Sequence, residues 1–144
     1  MRIPQLIAAG TAIAAIATFA PTAGAQDSQR DDSFKWTSGI EAGRTMYVRN
    51  LNGGILVEPG TGATAEVRAE KRWRKGDPKT VKVTAEKTAR GDIMVCVIYE
   101  GRNTRCDEDG YSTKGDDSWW GNNKNNDVSV QFTILLPKGV KADL

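Results

Sequence analysis

Apolar residues follow two patterns along this chain. A continuous run from Leu6 to Ala20 stands near the start, and from residue 44 onward apolar and polar positions alternate with period two. That alternation is the signature of strands that bury one face. Between Arg44 and Asn50, Met46 and Val48 share a side, and Asn52-Gly53-Gly54 supplies a turn. Ile55 and Val57 continue the pattern until Pro59-Gly60 stops it. Ala65, Val67, Ala69 and Trp73 alternate with Glu66, Arg68, Glu70 and Arg72, which predicts a long strand with one wet face. Asp77-Pro78 marks another turn before Val81, Val83 and Ala85.

From Ile93 to Tyr99 both alternating sets are apolar, so this strand is expected to be covered on both faces. A loop rich in Gly, Asn, Asp and Ser is predicted from Gly101 to Asn126. The last strand runs from Val128 to Leu136 with Val130, Phe132 and Ile134 inward. After the first apolar run no segment has a helical period. The expectation is an all-β fold of about seven strands: a two-layer β-sandwich or the beginning of a right-handed β-helix, preceded by a signal-peptide helix. Three similar segments, starting at Gly53, Gly91 and Asn126, hint at a repeat of 38 and then 35 residues.

The apolar run has the grammar of a cleavable export signal: Arg2 ahead of it, a length of about 15 residues, and Ala23-Gly24-Ala25 before Gln26. It is shorter than the roughly 20 residues that cross a membrane. The predicted organisation is therefore a signal peptide at 1–25, a polar linker at 26–33 and one β domain at 34–144. Export places the domain in the periplasm, at the cell surface or in the medium, with no integral membrane span after cleavage. The segment Leu136 to Leu144 has no polar tail, which suggests a domain that continues beyond Leu144.

Charge and composition narrow the chemistry. The whole chain carries +2, and +1 without Arg2, which argues against a dedicated nucleic-acid partner. Histidine is absent, removing the commonest general base and zinc ligand. Cys96 and Cys106 are the two cysteines; in an oxidising compartment they read as a disulfide across one loop.

Five features invite a functional reading. Trp119-Trp120, among Gly, Asn and Asp, could stack on sugar rings or fold back over the sheet end. Arg90-Gly91-Asp92 spells an integrin-type tripeptide, yet a hairpin tip needs glycine there anyway. Lys71 to Lys75 is the most cationic run and reads first as a solvated strand end. Asp107, Glu108, Asp109, Asp116 and Asp117 raise the question of calcium, although Arg105 breaks the EF-hand spacing, and no metal is expected. No Gly-x-Ser-x-Gly, phosphate-binding glycine loop or dinucleotide turn is present, so the reading is non-enzymatic, with no catalytic residues and no cofactor.

Phe34-Lys35-Trp36, Gly43 with Met46 to Asn50, Asn52-Gly53-Gly54-Ile55, Val67 to Lys71, and Asn126-Asp127-Val128 leading to Leu136-Pro137-Lys138-Gly139-Val140 together carry a resemblance. They resemble the opening section of a bacterial adhesin-like family, exported all-β domains of unknown function. The resemblance implies a non-catalytic structural or surface-interaction module whose partner is a cell-envelope glycan or a surface protein. A carbohydrate- or cell-wall-binding module using the Trp119-Trp120 loop is the alternative.

Overall fold

A computed structural model of the chain describes residues 29–100, 103–114 and 126–144. Ten strands account for most of them: β1 Gln29–Gly39, β2 Thr45–Arg49, β3 Ile55–Pro59, β4 Thr64–Trp73, β5 Val81–Lys87, β6 Ile93–Tyr99, β7 Asn103–Asp107, β8 Gly110–Lys114, β9 Ser129–Leu136 and β10 Lys141–Asp143. The described residues contain no α-helix, and none of their elements is a helix long and apolar enough to cross a membrane. The segment 1–25, expected to be a signal peptide, lies outside the described residues.

The strands form three open sheets. Sheet I has the order β1-β4-β9-β3, sheet II the order β10-β2-β6-β5, and β7-β8 is a separate hairpin. Three pairs are parallel, β2 with β6, β2 with β10 and β3 with β9, whereas β1-β4, β4-β9 and β5-β6 are antiparallel. One hydrophobic core joins the two large sheets. Sheet I contributes Ala65, Val67, Ala69, Val130, Phe132 and Ile134, and sheet II contributes Met46, Val48, Val81, Ile93, Val95 and Val97. These are the inward positions expected from period two, because successive side chains of a strand point to opposite faces.

On β6 both sets are buried: Ile93, Val95 and Val97 face the core, while Met94 and Cys96 on the other side are each 6% exposed. The doubly apolar pattern is thereby accounted for.

The structure corrects the sequence reading at four places. β1 begins at Gln29, inside the segment read as a linker, and its start pairs with Arg72 and Trp73. A register shift between Asp31 and Phe34 breaks its alternation, so a hydropathy pattern could not reveal it. The predicted loop holds the β7-β8 hairpin, whose polar residues rely on long-range tethers rather than on a buried face of their own. β10 consists of three exposed residues, too short to show a period. Finally, the suggested repeat does not correspond to equivalent strands, since β3 and β9 belong to sheet I and β6 to sheet II.

Candidate functional site

The hairpin covers the outer face of sheet II over β6 and the end of β2, leaving Lys82, Thr84 and Glu86 of β5 exposed. The Cys96 and Cys106 sulfurs lie 1.95 Å apart, the distance of a disulfide, and tie β6 to β7. Such a bond accords with an oxidising compartment. Tyr111 of β8 donates its hydroxyl to Val97 O at 2.8 Å. Arg49 of β2 is buried beneath the hairpin turn, only 7% exposed, and all three of its nitrogens are engaged. Nε donates to Asp107 O at 3.2 Å, Nη2 to Glu108 O at 2.7 Å and Nη1 to Asp143 Oδ1 at 2.6 Å. The guanidinium also stands 5.4 Å from the Tyr47 ring centroid, within cation-π range. A buried cation with each of its three nitrogens hydrogen-bonded is a structural clamp.

Arg90-Gly91-Asp92 occupies the β5-β6 turn, and Gly91 has φ +88°, a conformation that favours glycine. Asp92 Oδ1 accepts the Thr45 backbone N–H at 2.9 Å, and Arg90 donates to Glu108, which raises the Arg90 pKa. Both charged groups of the tripeptide hold the fold together.

The cationic run is split by the fold. Lys71 lies on an inward register position and donates to Pro78 O at 3.0 Å, while Arg72 faces outward and donates to Glu70. The backbone N–H groups of Arg74, Lys75 and Gly76 converge on the Asp127 carboxylate, the last at 2.9 Å. Those backbone donors, Gly76 foremost, hold the Asp127 pKa below the usual aspartate value. Asp127 thus pins the turn after β4 to the start of β9.

Of the carboxylates considered for calcium, Asp107 accepts from Arg105 and Glu108 from Arg90, and Asp109 follows in the turn. Among the described residues no group of three metal-ligating side chains is assembled. Asp116, Asp117, Trp119 and Trp120 lie outside the described residues.

The outer face of sheet I is different in character. Glu66, Arg68, Glu70 and Arg72 of β4 stand between Lys35 and Thr37 of β1 and Ser129, Gln131 and Thr133 of β9. Arg68 donates to Glu66 at 2.5 Å. Gln131 Oε1 accepts the Gly54 N–H at 2.9 Å, linking β9 to the start of β3. No family model, curated protein or solved structure matches the chain. This face is an array of cations, carboxylates, amide and hydroxyl groups carried on three paired strands. Such an array suits multivalent hydrogen bonding and ion pairing with an extended ligand. Sequence reasoning placed Glu66, Arg68, Glu70 and Arg72 on one wet face, but it had no signal for the neighbours supplied by β1 and β9.

Proposed function

We propose that the chain is a non-catalytic, exported surface-interaction module built as a two-layer β-sandwich, of the kind that its resemblance to the adhesin-like family implies. The observation that carries this reading is the division of labour between faces. Both inner faces are consumed by the core, the hairpin covers the middle of the outer face of sheet II, and sheet I offers a broad solvated surface. The polar groups Arg49, Asp92 and Asp127 hold strands and turns in place. The disulfide is a further support for work outside the cytoplasm.

The test is co-sedimentation of the full chain with purified bacterial envelope fragments. Saturable binding supports the reading, and no binding to envelope fragments at any accessible concentration sinks it. A Trp119→Ala variant separates the carbohydrate-loop alternative: a loss of binding with unchanged thermal stability assigns recognition to that loop.

The opening of a β-helix is a second architectural reading, favoured by one feature. The parallel pairs β2-β10 and β3-β9 lie at the same side of the two sheets, and parallel neighbours are what a coiling chain produces.

A further inference from the structure

Strand pairing sets like charges directly opposite each other on the outer face of sheet I. Across β1-β4, Arg30 lies opposite Arg72 and Lys35 opposite Arg68. Directly opposed like charges destabilise an antiparallel pair. Two acids on β4 answer these four cations. Glu66 pairs with Arg68, while Glu70 pairs with Arg72 and lies 3.9 Å from Arg30. Lys35 has no ion pair among the described residues.

Lys35, Arg68, Glu70, Arg72, Gln131 and Thr133 line a shallow depression of about 250 Å³ between β1, β4 and β9. Because the Gln131 carbonyl oxygen is taken by Gly54, its amide nitrogen is left as a donor. Arg68 and Arg72 are four residues apart on one strand, about 13 Å at the strand rise. The two cationic pairs are therefore separate stations rather than one cluster.

We propose that this face binds an acidic polysaccharide, with a carboxylate of the ligand on the Lys35-Arg68 pair and its hydroxyls on Glu70, Gln131 and Thr133. The proposal rests on the surface-module reading and assigns that module a face and a ligand class. Glu70 already stands between Arg30 and Arg72, whereas Lys35 meets no protein carboxylate among the described residues, so an anion seated between Lys35 and Arg68 turns the other opposed pair into a bidentate site. Sugar hydroxyls both donate and accept, matching a lining that mixes carboxylate, amide, hydroxyl and cation. Single-stranded nucleic acid would call for aromatic platforms, and the aromatic residues Phe34, Trp36 and Trp73 pack against the core. A membrane surface would call for an apolar anchor in the site, where Ala69 is the one apolar residue of the lining.

The experiment measures binding of the full chain to polygalacturonate, neutral dextran, poly(dT) and phosphatidylglycerol vesicles at 0.15 M salt. The variants are Lys35→Gln/Arg68→Gln and, as a charge-matched control, Lys79→Gln/Lys138→Gln. The expected result is polygalacturonate binding that falls at least tenfold in the first variant and less than twofold in the control. The melting temperature of a Lys35→Gln single variant, which leaves the Arg68-Glu66 pair intact, should stay level or rise because the opposed charge has been removed; a fall in melting temperature would overturn the repulsion argument. Undiminished polygalacturonate binding by the first variant, or no polygalacturonate binding by the native chain, overturns the proposal. So does dextran, poly(dT) or vesicle binding as tight as that of polygalacturonate. If the first variant still sediments with envelope fragments at native affinity, this face is the wrong one while the surface-module reading stands.

Discussion

Arg49 Nη1 and Asp143 Oδ1 meet at 2.6 Å, joining β2 to the edge strand β10 from a position where the arginine also holds the hairpin turn. Asp143 is about half exposed, so water can replace the arginine as its partner, whereas the buried guanidinium has no such recourse. Removing the arginine strips the Asp107 and Glu108 carbonyls of their donors together with the Asp143 pair. Arg49→Met is expected to lower stability by about 2–3 kcal/mol in denaturant unfolding, since a hydrogen bond to a charged group is worth about 1.5–3 kcal/mol net of water and the freed acceptors at the hairpin turn can hydrate. Asp143→Asn keeps an acceptor in place and should change stability by less than about 1 kcal/mol.

The Cys96-Cys106 bond closes a short loop and also covers one face of β6. Chain entropy assigns a loop of this size about 2.5 kcal/mol. A Cys96→Ser/Cys106→Ser variant should lose roughly that much. Amide exchange should quicken first in β7-β8 and only weakly in the β4-β9 pair, which makes no use of the bond.

Gly53 has φ +117°, and a Cβ built there would lie 2.1 Å from Val130 O. Gly43 also has a positive φ, +87°, yet nothing lies within 4 Å of its Cβ position. Gly43→Ala should therefore cost about 1 kcal/mol, from backbone conformation alone, and Gly53→Ala more than about 3 kcal/mol, because the β2-β3 corner must also move off β9. Thermal unfolding of the two variants side by side measures the difference.

Asp127 titrates lower in the folded chain than in the unfolded one, so its contribution to stability is present above the ordinary aspartate pKa. It is lost as the pH falls below about 4 through the folded value. Asp127→Asn should flatten the acid limb of the stability curve. The measurement is the pH dependence of unfolding, with the Arg74, Lys75 and Gly76 amide resonances as local reporters.

β4, β6 and β9 were readable in the sequence because each is long enough, or apolar enough, for burial to leave a periodic trace. β6 even announced its second cover through Met94 and Cys96, although nothing in the pattern said that a hairpin would provide it. β1, β7, β8 and β10 left no such trace. Their stability comes from partners distant in sequence: the whole of β4 for β1, Cys96 and Arg49 for the hairpin, and β2 for β10.

Local order along the chain thus determined the all-β character, the inward residues of the long strands and the pairing of the two cysteines, because each follows from nearest-neighbour alternation or from simple counting. Tertiary structure decided which strands run parallel, where the buried arginine finds its acceptors and which charges face each other across β1 and β4. Those outcomes depend on register, and register is set by long-range packing of one apolar face against another.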